Sequence, residues 1–395
     1  MQGGAAAASR PLRQAQSCYD FGSGTTTGTR PLPVGPPRMH IPDGYLSPET
    51  CAALYAGAAP FWYVSLRRLK RLLSTKLIPL LSVFAAFSFV VMMFNLPLPG
   101  GTTGHAVGVS IASIVLGPWA SILAISIALF IQAVFFGDGG ITSFGANCFN
   151  MAITGSLVAY FTYHAISGGS AIVSRRRVIA AGVAGYLSIN VSALFAGIEL
   201  GIQPMLFHDA SGAPLYAPYP LHVAVPAMLL GHLTMAGLAE SILSAGLVVW
   251  LQQSHPSLLR ATVPGAAATG DEAARFGWTA IRPLLAGLAA LMLMTPLGIL
   301  AVGSAWAEWS ARDFANPAAR RQIAAVSANH ALPAGVPLGL QRLSSVWTAP
   351  FPDYAPPFLR SPSFGYLLSA AFGSGLILLA ALALNWVCAA RWRRR

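Results

Sequence analysis

From about residue 50 onward the chain is a succession of apolar segments, most near the roughly 20 residues that a helix needs to cross a hydrocarbon core. Crossings are expected at 50–66, 77–94, 106–117, 119–136, 147–167, 178–199, 222–251, 283–303 and 364–388. The expected fold is therefore all-α, a polytopic integral membrane protein of about nine transmembrane helices. Only 9% of the 395 residues are charged, against roughly 25% in soluble domains, which excludes a soluble globular enzyme. The third and fourth segments are ambiguous. Together they span 106–136, about 46 Å as one straight helix, long for one crossing and short for two. Gly117 and Pro118 interrupt them, and proline breaks a helix by lacking a donor and clashing with the preceding turn.

The basic residues test this count. Lys and Arg number 24 against 12 Asp and Glu, and most fall in four clusters: Arg67, Arg68, Lys70, Arg71 and Lys76; Arg175, Arg176 and Arg177; Arg260, Arg275 and Arg282; Arg391, Arg393, Arg394 and Arg395. With nine crossings and an outside amino end, all four lie inside, as the positive-inside rule requires. A single crossing over 106–136 would push Arg175–Arg177 outside, so parity favours a broken pair or a re-entrant hairpin at Gly117 and Pro118. The positive charge thus reads as topology, not as nucleic-acid binding. Residues 39–48, 95–105 and 137–147 then emerge on the outer face, and the C-terminus lies in the cytoplasm. Cys18, Cys51, Cys148 and Cys388 are far apart with no CxxC pair, so a metal here needs nitrogen or oxygen ligands.

The outer-face stretch MHIPDGYLSP, residues 39–48, carries the chemistry. If Met39 is the first residue, its α-amine, the backbone amide nitrogen of His40 and the His40 imidazole can close five- and six-membered chelate rings on one ion. An all-nitrogen tetragonal site suits Ni(II) or Cu(II), and His105, ending an outer loop, is the fourth donor. The competing reading of each histidine is a solvated or hydrogen-bonded loop side chain; glycine-rich backbone that can approach an ion closely argues for ligation. Asp43 fits a Pro-Asp-Gly turn and is counted with the residues that support the metal ligands from behind, not with the ligands themselves. In GDGGITSFGANCFN, Asp138, Asn147 and Asn150 either satisfy loop and helix-end groups or support His40 and His105 from behind. GGTTGH lacks the Lys-Ser/Thr ending of a phosphate loop. Glu199, His232 and Glu240 are intramembrane ionisable groups, read here as helix-packing hydrogen bonds. His164, His208, His222, His255 and His330 receive no role.

MHIPDGYLSP, GGTTGH and FFGDGGITSFGANCFNM, in that order over residues 39–151, resemble the CbiM/NikM family, the substrate-binding membrane component of nickel and cobalt energy-coupling-factor transporters. The resemblance implies a metal site on Met39, His40 and His105. It also implies that Ni(II) or Co(II) is the transported substrate, with no permanent cofactor. TPLGILAVGSAWAEW, residues 295–309, a long outer loop containing PFPDY and a final apolar helix resemble the two-helix CbiN/NikN accessory component. The implied organisation is a seven-helix module over 39–252, a cytoplasmic linker over 253–280 and a fused two-helix module over 281–395.

Residues 1–38 depart from the family. They would turn the Met39 amine into a peptide nitrogen, so translation is expected to start at Met39, or the extension to be clipped after Arg38; a disordered tail is the other state of that segment. The sequence has no Walker motif, so the resemblance implies two cytoplasmic ATPase subunits and a coupling membrane protein as partners in an inner-membrane assembly, with ATP hydrolysis outside this chain. Nickel is favoured over cobalt for cobalamin synthesis. The rival readings are a passive metal channel and an intramembrane enzyme using His232 and Glu240 as an acid-base pair.

Overall fold

The computed structural model describes residues 40–72, 77–98, 101–260, 278–301 and 303–392. Met39, the extension before it and most of the expected linker lie outside the described residues.

The chain is helical almost throughout. Ser47 opens α1 (Pro48–Leu72) by accepting the Thr50 amide at 3.1 Å, which satisfies one of the amide groups that every helix start leaves over. α2 (Leu77–Met92) returns. A small hairpin of β1 (Leu96–Leu98) and β2 (Thr102–Gly104) follows, then α3 (Val109–Leu116) and α4 (Pro118–Ile131). α5 (Phe144–Asn147), a π-helical stretch Cys148–Gly155 and α6 (Ser156–Ser167) run end to end, and α7 (Arg175–Gly201) follows. Beyond it lie a helical run over Leu221–Ser254, a helix Trp278–Met294 and the last helix, Pro362–Trp392.

Five helices among the described residues are long and apolar enough to cross a membrane: Pro118–Phe136, Arg175–Leu206, Leu221–Ser254, Ile281–Leu300 and Pro362–Ala383; Ile78–Met92 is apolar but shorter. The expected crossing at 106–117 is not a full helix. α3 has eight residues, about 12 Å, less than half a hydrocarbon core. Gly117 (φ 77, ψ 166) turns the chain into α4, with Pro118 at its first position, where its missing N–H costs nothing. The segment is the broken arrangement that charge parity favours.

α2 packs between α4 and the last helix, and α7 packs against α6 and the Leu221–Ser254 run. Along α7, Gly182, Gly185 and Gly197 face Ser241, the Glu240 carbonyl and Val225 so closely that a Cβ would collide or press, the small-residue packing usual where lipid supplies no hydrophobic drive. A second core forms around the segment that follows Met39. It joins Ile41, Tyr45 and Leu46 to Tyr219 and, from the C-terminal segment, Trp306, Trp309, Phe314 and Leu340. Tyr45 donates to the Trp309 carbonyl at 2.8 Å, and the Ala217 amide donates to the Tyr45 carbonyl at 2.9 Å. The loop after residue 300 folds here into short helices (Ala311–Ala315, Pro317–Val326, Leu338–Leu343).

The helices that meet at this pole have basic clusters at their other ends. α1 runs from Pro48 to Arg67 and Arg68, whose guanidinium lies 4.7 Å from the Trp119 ring beside Gly117 and Pro118. α7 runs from Arg177, which donates to the carbonyls of Ser170 and Ala171, to Gly201, just before Gln203, which accepts the Ser47 amide.

Candidate functional site

The hairpin and the segment after Met39 bring His40 and His105 together. Both are buried, and their ring centroids lie 5.2 Å apart at 66°. His40 Nδ1 is 3.0 Å from Asp138 Oδ1. A carboxylate accepts, so Nδ1 carries the proton and Nε2 the lone pair. Nε2 is buried with no hydrogen-bond partner among the described residues, a state that in a native interior calls for an explanation. His105 Nδ1 lies 3.0 Å from the Ala106 carbonyl, which gives the second ring the same tautomer. A cavity of about 90 Å³ is lined by His40, His105, Asn147, Asn150, His232 and Trp306 among others, room for an ion with part of its water shell.

The two histidines are held differently. Asp138 is delivered by a π-helical turn, Gln132–Phe136, that ends in left-handed Gly137 (φ 66), with the Asp138 amide bonded to the Gln132 carbonyl at 3.1 Å. Its second oxygen accepts the Tyr354 hydroxyl at 2.6 Å, and Tyr354 accepts from Gln132 Nε2 at 2.9 Å. Burial, and then the adjacent Asp138 charge, hold the Tyr354 pKa well above the usual tyrosine value, so the hydroxyl stays a donor. The His105 loop is fixed through its backbone. Glu240, fully buried, accepts the amides of Val107 and Gly108 at 2.8 Å and of Ser110 at 3.3 Å. These are the amides at the start of a half-helix, which its own backbone leaves unpaired and which a buried site must satisfy from elsewhere. On the hairpin's other side Thr103 forms a parallel bridge with Ala305.

The remaining sequence candidates divide by what they touch. Asn147 binds both backbone groups of Ile41, accepting its N–H and donating to its carbonyl at 3.1 Å each, and so fixes the chain next to His40. Asp43 clamps the facing loop, accepting the amides of Ile141 at 3.1 Å and Thr142 at 2.7 Å. Asn150 lines the cavity but donates to Glu199 at 2.8 Å. His232 bonds to the Met228 carbonyl at 2.7 Å while Glu240 serves the α3 amides, so the two turn to different partners. Met39 lies outside the described residues. No group of three or more His, Cys, Asp or Glu is placed to hold a metal among those described; of the three imidazoles that line the cavity, His232 has its Nδ1 engaged with the Met228 carbonyl.

One detail bears on the expected chelate. A six-membered ring through the His40 amide closes only on Nδ1, the nitrogen that Asp138 holds. Chelation therefore requires the imidazole to turn, whereas ligation through Nε2 uses the ring as it stands.

Sequence reading missed Tyr354, Gln132 and the anchoring role of Glu240. PFPDY was visible as a loop motif, but nothing in its spacing shows that Tyr354 lies beside a residue more than 200 positions earlier.

Residues 40–258 match the family described as cobalt uptake substrate-specific transmembrane region, CbiM. The chain is 56% identical over 340 residues to the fused nickel transport protein NikMN of Rhodobacter capsulatus, covering 86% of this chain and 95% of the relative. It is 33% identical over 227 residues to the cobalt transport protein CbiM of Geobacter sulfurreducens, covering 56% of this chain and 61% of the relative. A crystal structure of a truncated transition metal transporter aligns at a TM-score of 0.51 and 46% identity, over 55% of this chain and 99% of that one.

Proposed function

The chain belongs to the CbiM family of nickel and cobalt transport proteins, and on that premise we propose that it captures Ni(II) or Co(II) for an ATP-driven importer of the energy-coupling-factor type. The observation that carries the site is the buried Nε2 of His40, without a hydrogen-bond partner, lining one cavity with His105. A lone-pair nitrogen kept dry and held by a carboxylate on its other side is how proteins prepare an imidazole for a metal. The two imidazoles are the core of the donor set; the Met39 amine, exposed when the chain begins at Met39, and the His40 amide join it once the His40 ring turns to offer Nδ1 in place of Nε2.

All-nitrogen donation favours nickel, and a relative matched over 86% of this chain is named for nickel. The site faces outward, since the basic clusters cap the opposite helix ends. Residues 39–252 form the capture module, 253–280 the linker and 281–395 the fused accessory module. Two cytoplasmic ATPases and a coupling membrane protein supply the energy, because this chain carries no Walker motif.

The test is equilibrium Ni(II) binding to protein beginning at Met39, beside His40→Ala and His105→Ala. Tight binding by the parent and its loss in both variants is expected; a variant that binds as tightly as the parent overturns the site. Uptake of labelled nickel that is unchanged without the partner ATPases overturns the coupled mechanism, and competition with labelled cobalt should favour nickel.

A further inference from the structure

The aromatic cluster at the end of α4 is built by two distant parts of the chain. Tyr354 stacks on Phe136 at 4.7 Å and meets Tyr366 at 5.3 Å, and the Phe351 amide donates to the Phe135 carbonyl at 2.9 Å. Asp353 and Tyr354 both adopt left-handed backbone (φ 58 and 59). Such a conformation is unfavourable for residues with side chains and persists where the surroundings over-determine it. Here it turns the Tyr354 hydroxyl onto Asp138 Oδ2, leaving Oδ1 to His40.

We propose that Tyr354 is a positioning residue for metal capture: the C-terminal segment reaches into the site through its hydroxyl, fixes the Asp138 carboxylate, and through it sets the orientation of the His40 imidazole. The inference rests on the metal-capture reading above. A short chain of hydrogen bonds to a buried carboxylate restrains it more firmly than one bond does, and a carboxylate held on one oxygen presents the other in a fixed direction. That carboxylate serves whichever ring nitrogen the ion does not take. With the ion on Nε2 the observed contact is the orienting bond. With the ring turned for chelation, Asp138, still held by Tyr354, is the carboxylate at hand for Nε2–H. On this account the C-terminal segment is part of the binding site's support, and its hold on the His40 ring is the Tyr354 hydroxyl.

The experiment is Ni(II) titration of the detergent-purified full chain beginning at Met39, followed by the visible ligand-field band of the bound ion. The proteins are the parent, Tyr354→Phe, Asp138→Asn, the double variant and Tyr366→Phe. Removing an outer support of a metal-bound histidine costs about 10- to 100-fold in affinity. Tyr354→Phe and Asp138→Asn should each lose about tenfold and shift the band in the same direction, and the double variant should bind no more weakly than Asp138→Asn alone. Tyr366 bonds to the Met93 carbonyl at 3.2 Å, and Tyr366→Phe should bind like the parent. Parent-like affinity in Tyr354→Phe overturns the proposal. So do losses that multiply in the double variant, or an equal loss in Tyr366→Phe, which would mark general loosening of the aromatic cluster. A parent that binds no Ni(II) instead overturns the capture reading itself.

Discussion

His40 and His105 lie side by side in one cavity, yet His40 is held by side chains and His105 by backbone. Asp138, Tyr354 and Gln132 fix the first ring in a line of hydrogen bonds. The second ring leans on its neighbour's carbonyl, on a hairpin, and on amides gathered by Glu240. A side-chain relay can be loosened without unfolding anything. A backbone anchor inside an apolar bundle cannot, because each buried amide it releases is left unpaired. The His105 arm is thus the rigid jaw of the site and the His40 arm the adjustable one, the jaw whose ring would have to turn for the chelate.

The largest expected effect tests the rigid jaw. Glu240→Ala strands three amides and should cost about 3–5 kcal/mol of stability, read as a large drop in thermal unfolding temperature in detergent, with Ni(II) affinity lost alongside. Glu240→Gln keeps an acceptor oxygen and should recover part of both. A Glu240→Ala protein that keeps both its stability and its Ni(II) affinity would mean that the His105 loop does not depend on its buried anchor.

Next comes a close contact behind the His40 arm. Gly139 has φ +84, and a Cβ there would lie 3.0 Å from His40 Cβ and 3.1 Å from Asn147 Nδ2. Gly139→Ala combines left-handed strain with crowding of His40, about 1–3 kcal/mol, and should lower Ni(II) affinity more than stability, because the added Cβ presses on His40 itself. Equal losses in both measurements would make the His40 arm as rigid as its partner. Asp138→Asn ranks below it. An affinity loss of about tenfold with little change in unfolding temperature is expected; a large fall in unfolding temperature would move Asp138 from the relay to the core.

The sequence revealed the apolar helices, five of which are long enough to cross a membrane among the described residues, and singled out His40 and His105, which the structure brings together, because hydropathy and a histidine in a distinctive local motif are local signals. It also located the break at Gly117 and Pro118. It did not reveal that α3 is a half-helix whose first amides need Glu240, since an eight-residue helix and a longer one share the same hydropathy. Glu240 was recognisable as a costly intramembrane acid, but its partners lie 130 to 133 positions away. Tyr354 was the least legible. Its place depends on left-handed backbone at two non-glycine residues, a choice made by packing and not by propensity.

The smallest expected effect sharpens the comparison most finely. Thr103 faces the C-terminal segment twice, through a backbone bridge to Ala305 and through a long side-chain bond of 3.4 Å to the Gly303 carbonyl. If backbone holds the His105 arm, deleting the side-chain bond should matter little: a hydrogen bond of that length lies beyond the usual range, and Thr103→Ala, at a buried position, should cost no more than about 1 kcal/mol of stability and leave Ni(II) affinity at the parent value. Titration and thermal unfolding of this one variant check both halves. A tenfold loss of affinity would show that the hairpin is steered by its side chains after all, and the two jaws would then differ in degree and not in kind.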